Sequence, residues 1–335
     1  MTSPEAVPAA GGSIGPAAGS DRLIGWSTAA RAAAVAGLGR PRLWPLALVA
    51  FLLRGGLILY LLPIVVVPST VGLATFIGPT AITPAGPSGD LVRLVAVAVV
   101  AAVAWLVVGG LVAAAAEGAL IRQSMLADEP IADAAIGAER AASASEVTPA
   151  GAVARILLVR FVASTPLIVA CAWGIPRLVG AAYRELTSPV ETAAPLPLRV
   201  LSDVPEVLVA VFAGWLFAQT VGGLAVRRIV LFGERGPEAT FMAVRHVVRH
   251  PVATAASTAL LLGGSSLLVV PGLVAAAIVW ERLGRALVGD VGILPVLPLT
   301  LLFVGVWICG LALAGAAAAW RSVAMTLEVL RTGPR

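Results

Sequence analysis

An all-α, polytopic membrane bundle of six transmembrane helices is the fold class this sequence predicts, and three observations predict it. The chain of 335 residues is 59% hydrophobic and only 12% charged, whereas soluble domains carry roughly 25% charged residues. Its mean hydropathy is +0.98, far above what a water-facing surface tolerates. Its apolar residues gather into six long stretches, each near the ~20 residues of helix that cross a hydrocarbon core. Together these exclude a soluble enzyme, a disordered chain and a disulfide-stapled domain.

In order, the predicted spans cover 43–67, 91–116, 156–179, 207–226, 251–280 and 291–320. Residues 1–25 are rich in Pro, Gly, Ala and Ser and lack an apolar signal-peptide core, so they read as a disordered cytoplasmic tail. Residues 26–330 form one membrane domain, and 331–335 a second short tail. The apolar stretch 71–82 holds Gly78 and Pro79 and is too short to cross; it reads as a re-entrant or wall-hugging loop. The acidic segment 123–151 reads as a solvated loop.

All 23 basic residues are Arg, and Lys and Asn are absent. That usage fits GC-rich coding and hence a bacterial chain, and it removes N-glycosylation acceptors. Fifteen of the Arg flank one set of span ends and six the other, which places both chain ends in the cytoplasm and the protein in the cytoplasmic membrane. The Arg flank apolar runs and form no patch with interleaved aromatics, so a nucleic-acid partner is not expected.

The even spans carry mid-span tryptophans followed by glycine: Trp105 by Gly109, Trp215 by Gly222, Trp307 by Gly310. Such a pair predicts close helix packing through a glycine notch. The odd spans are each preceded by a helical segment ending at Pro or Gly: 27–40, about 131–144, and 238–250. The pattern predicts three hairpins, each led by a cytoplasmic surface helix. In the last of these helices, EATFMAVRHVVRH, Phe241, Val244, Val247 and Val248 take one side. Arg245, His246, Arg249 and His250 take the other with Glu238, and so predict a face toward anionic headgroups.

Arg54 is the most informative residue. It follows Trp44 by ten positions, about 15 Å of helix rise, near mid-membrane. An ionisable group there costs at least ~2.5–3.5 kcal/mol and marks function by default. It either bonds carbonyls freed by Gly55 and Gly56 and locks the bundle, or belongs to an anionic-ligand or lipid-phosphate site. Gln219 lies at a similar depth in span four, and Arg160 is shallower in span three, at the cytoplasmic mouth of such a site. Glu117 is the nearest acid but reads as too shallow to pair at full depth. Gly55–Gly56 and Gly263–Gly264–Ser265–Ser266 predict paired breaks in spans one and five, a pattern seen at transporter midplane sites.

Enzyme signatures are lacking. His246 and His250 stand four apart, but no other His exists to complete a metal site, and no metal or cofactor is expected. Cys171 and Cys309 lie in apolar runs and read as packing residues. GGSIG at 11–15 matches a nucleophile elbow by letter but sits in the tail, not on a strand-to-helix turn. The segment VRHVVRHPVATAASTALLL, with the repeated hairpins, resembles six-helix bacterial proteins similar to the membrane domain attached to some glycerophosphodiester phosphodiesterases. That resemblance implies the architecture over about 25–330; the catalytic domain of those enzymes is absent from this sequence, so no activity is implied. The reading is therefore a non-catalytic protein handling or transporting an anionic or lipid-phosphate ligand. The alternative is a membrane scaffold or accessory subunit, with a membrane-protein partner or a second copy of itself.

Overall fold

The computed structural model describes residues 26–61, 64, 82–83, 86–125, 149–187, 196–288 and 293–331. The predicted tail at 1–25, the loop at 71–81 and the middle surface helix at 131–144 lie outside them. Among the described residues, six helices are long and apolar enough to cross a membrane.

The chain begins with α1 (Trp26–Leu38). A 3-10 turn (Pro41–Leu43) leads into α2 (Trp44–Phe51), a π turn (Leu52–Gly56) and α3 (Leu57–Leu61). A two-residue antiparallel pair, Ile82–Thr83 with Gly86–Pro87, precedes α4 (Gly89–Met125). These elements make hairpin one. Hairpin two is α5 (Pro149–Ala163), α6 (Thr165–Thr187), the short α7 (Leu196–Ser202) and α8 (Pro205–Phe232). The surface helix α9 (Gly236–Arg249) leads to hairpin three, α10 (Pro251–Val288) and α11 (Ile293–Arg331).

Local chemistry sets these boundaries. Helix α8 stops at Gly233, which takes φ 66° and donates its N–H to the Ile229 carbonyl at 3.0 Å, a left-handed cap that suits glycine. Pro237 and Pro251 occupy first-turn positions of α9 and α10, where a missing N–H is harmless. Helices α5 and α6 meet at Ser164. There Pro166 cannot donate back along the helix, and the Ser164 hydroxyl donates to the Arg160 carbonyl at 2.8 Å. The third apolar span is therefore Thr165–Glu185, and the turn at Ser164 leaves Arg160 before it, on α5.

Several boundaries differ from expectation: the third span starts at 165 and not 156, and α6 and α10 run past the predicted ends at 179 and 280. Helices α4, α8 and α11 run on past the predicted span ends at 116, 226 and 320. No breaker follows those apolar runs, so the helix continues into polar sequence. The predicted break at Gly263–Ser266 is absent, since α10 is continuous there. A Cβ on Gly264 would collide with the Trp320 ring, so this glycine is a packing notch. Only the first span is broken: Arg54 has φ −93°, ψ 19° and Gly55 φ 104°, ψ −8°. The latter region is strained for any residue with a side chain.

The helices pack mainly at one end. Pairs α2–α4, α4–α5, α5–α8, α8–α11, α2–α11 and α10–α11 are in contact. The largest buried cluster joins Ile121, Ile156, Val159, Val221, Ala225, Val226, Ala239 and Ala243 from α4, α5, α8 and α9. A second joins Ala33, Ala36, Leu43, Leu120, Ala319 and Val323. Both lie at the end where α4, α8 and α11 carry Arg122, Arg227 and Arg321. Toward the other end α4 presents Val97, Val99, Val100 and Val103 unburied on every face.

The glycine notches exist, with other occupants than predicted. A Cβ on Gly222 would lie 3.2 Å from both Ala163 Cβ and Arg160 Nη1, and one on Gly310 3.4 Å from the Tyr60 ring. Tyr60 is buried and donates its hydroxyl proton to the Gly310 carbonyl at 2.6 Å. Only Gly109 faces its own Trp105, with Leu53 of the odd span beside it. Gly109 and Gly222 thus seat side chains from within their own hairpins, whereas Gly310 seats Tyr60 and fastens hairpin three to hairpin one.

A Cβ on Gly214 would lie 2.8 Å from the Leu167 Cα. Gly214→Val is expected to lower stability by about 1–3 kcal/mol, measured by thermal unfolding in detergent. Gly263→Ala, where nothing stands within 4 Å, is expected to leave stability unchanged or slightly raise it.

Candidate functional site

Where the three hairpins converge, a cavity of about 460 Å³ opens between α2, α3, α4, α5, α8, α10 and α11. Each hairpin brings at least one guanidinium to it. Arg54 comes from the π turn of hairpin one, Arg160 and Arg227 from hairpin two, and Arg321 from hairpin three. Gln219, Ser265 and Ser322 complete the polar lining, and Glu117 is its sole acidic member.

Glu117 is buried on α4 and accepts from two arginines at once. Arg54 Nη2 donates to its Oε2, and Arg160 Nη2 to its Oε1 at 2.6 Å. Arg227 Nη1 stands 3.7 Å from the same Oε1. Sequence depth alone put Glu117 out of reach of Arg54. The π turn displaces Arg54 from the regular helical path, and α4 runs on past its apolar stretch, so the two meet. Arg54 therefore bonds a carboxylate, not the carbonyls near Gly55 and Gly56.

Arg227 is anchored by the backbone. Its Nη1 donates to the Gly223 carbonyl at 2.7 Å, its Nε and Nη2 to the Ser322 carbonyl at 3.3 and 3.1 Å, and Nη2 also to Ser322 Oγ at 3.1 Å. Arg321 Nη2 donates to Gln219 Oε1 at 3.0 Å, a neutral acceptor. The cavity thus holds four guanidinium groups against one carboxylate, and arginine does not lose its proton in proteins. Three positive charges are left without a counter-charge among the lining residues.

The three residues singled out from sequence, Arg54, Gln219 and Arg160, all line this cavity. By position in the sequence Arg227 and Arg321 belong to the fifteen arginines that flank span ends on the cytoplasmic side. They belong to the cavity because α8 and α11 stay helical beyond their apolar runs. The signal was available: Gly223 and Arg227 stand four apart, and Ala316–Ala319 before Arg321 contain nothing that ends a helix.

The surface helix needs one correction. Arg245 and Arg249 of α9, and His250 just after it, are exposed, with Phe241 and Val248 exposed beside them. The side that packs inward carries Ala239 and Ala243, and His246 lies on that side. Its Nε2 is 3.8 Å from Glu328 Oε1 of α11, so it does not join a headgroup-facing set. Inward packing here needs small side chains, and Ala239 and Ala243 supply them. Among the described residues no three His, Cys, Asp or Glu side chains gather where a metal ion could be held.

No protein-family model matches the chain, and neither a curated protein nor a solved structure matches it.

Removing one partner of a buried charge network leaves the others uncompensated. Glu117→Gln is expected to cost about 3–5 kcal/mol, read as a lower unfolding midpoint in detergent. Arg177→Gln, which removes the exposed pair with Glu206 at 3.3 Å, is expected to cost no more than about 1 kcal/mol.

Proposed function

We propose that this six-span protein binds an anionic, phosphate-bearing ligand in the arginine-lined cavity and handles or transports it within the membrane. One observation carries the reading: four guanidinium groups face a cavity of about 460 Å³ with a single carboxylate among them. Uncompensated charge is expensive in a low-dielectric interior, so an interior like this calls for an anion. Guanidinium forks match phosphate oxygens two at a time. The three unlike sources of the arginines mean that ligand occupancy and hairpin packing influence each other.

In this reading the arginine-rich end faces the cytoplasm, because basic residues near span ends are retained there. Arg245, Arg249 and His250 then lie against anionic headgroups, each Arg worth about 1 kcal/mol. The protein resides in a bacterial cytoplasmic membrane with both chain ends inside. Labelling of cysteines introduced at the two ends is expected to give the same sidedness for both.

Native mass spectrometry of the protein released from its membranes tests the ligand. The wild type is expected to retain a phosphorus-containing adduct, and Arg54→Gln/Arg321→Gln to lose it while still showing a cooperative melt. An adduct-free wild type that also fails to bind phosphate or any acidic lipid would refute the proposal.

A further inference from the structure

The cavity is two-natured along the bundle axis. Leu59 of hairpin one, Trp215 of hairpin two and Val269 of hairpin three line it together with the arginines. Leu59 lies five residues beyond Arg54, Trp215 four before Gln219, and Val269 four beyond Ser265. Given the helix directions, each is about 6 Å or more farther from the arginine-rich end than its polar neighbour. The guanidinium groups therefore cap one end of the cavity and an apolar wall from all three hairpins leads away from them.

The wall leads toward the loosely packed half of the bundle. There α4 is 56% exposed at Val92, 68% at Val100 and 62% at Val108, and no other helix among the described residues covers it. A chain attached to a group held by the arginines has an apolar path out between the hairpins. Inorganic phosphate would fill only the capped end and leave the wall empty.

Charge selects the form of the phosphate. A phosphodiester, as in the common acidic lipids, carries one negative charge and leaves two of the three excess charges uncancelled. A phosphomonoester carries about −1.5 to −2 at neutral pH and offers three terminal oxygens to forked donors. Arg321, whose one hydrogen-bond partner among the described residues is the neutral Gln219, is the arginine best placed to turn toward such a group. Resting on the anion-site reading above, we infer that the ligand is a lipid phosphomonoester: an apolar chain ending in a phosphate esterified once, its phosphate among Arg54, Arg160 and Arg321 and its chain against Leu59, Trp215 and Val269.

Isothermal titration of the full chain in detergent tests this with three probes: dioctanoyl phosphatidic acid, dioctanoyl phosphatidylglycerol and inorganic phosphate. The expected result is tightest binding of the phosphatidic acid, by about tenfold over either other probe. Arg321→Gln is expected to weaken that binding about tenfold, with Arg321→Lys recovering part of it. Trp215→Ala is expected to reduce the advantage over inorganic phosphate without abolishing phosphate binding. Equal binding of the two lipids overturns the monoester assignment and leaves the anion site standing. Equal binding of phosphatidic acid and inorganic phosphate overturns the lipid assignment alone. Failure of all three probes to bind a cooperatively folded wild type overturns both readings.

Discussion

A single buried carboxylate organises this molecule. Glu117 accepts from Arg54 and Arg160 and lies near Arg227, so one side chain on α4 joins the broken first span to both helices of hairpin two that flank the cavity. Removing charges from water is costly, and mutual attraction offsets that cost only where geometry and hydrogen bonds are good. The network meets that condition for Arg227, whose remaining donors reach carbonyls and a hydroxyl. It does not meet it for the cluster as a whole, where cations outnumber the acid. The imbalance is the physical reason to regard the cluster as a site and not solely as a structural clamp.

The architecture serves that cluster. Small residues on α4, α8 and α11 let neighbouring helices approach closely at the arginine-rich end, as membrane helices require where apolar burial gives little drive for association. Tyr60 ties the segment after the kink to hairpin three through the Gly310 carbonyl, while Arg54 just before the kink is tied to α4. The left-handed Gly55 between them lets these two attachments point in different directions.

Much of the fold was legible because it rests on composition and periodicity. Apolar runs of membrane length located six helices, and the glycine pattern located the notches. Arg54 stood out because it is a charge in an otherwise apolar run, and Gln219 and Arg160 followed from depth. What escaped had two physical causes. Hydropathy marks where a helix leaves lipid, not where it ends, so Arg227 and Arg321 were assigned to flanks while their helices ran on. A local backbone irregularity also changes reach: the π turn at Leu52–Gly56 brought Arg54 to Glu117, which ideal helix geometry separates. The Gly263–Gly264 pair misled in the opposite direction, because glycine serves a neighbour's side chain as readily as a break, and here it serves Trp320.

The packing of α1 against α11 has a consequence for how the molecule comes into being. Gly37 lies so close to Trp320 that a Cβ on it would be 2.5 Å from the Trp320 Cα, yet ribosomal synthesis separates the two by nearly the whole polypeptide. Loop closure over such a length is slow and comes late. The earlier hairpins can assemble around Glu117 as soon as they emerge, with Arg54 and Arg160 bonded to it. Arg227 gains its Ser322 partners, and Arg321 arrives, only when the final helix swings in and meets the first, so the nascent protein carries a half-built pocket until its ring is fastened.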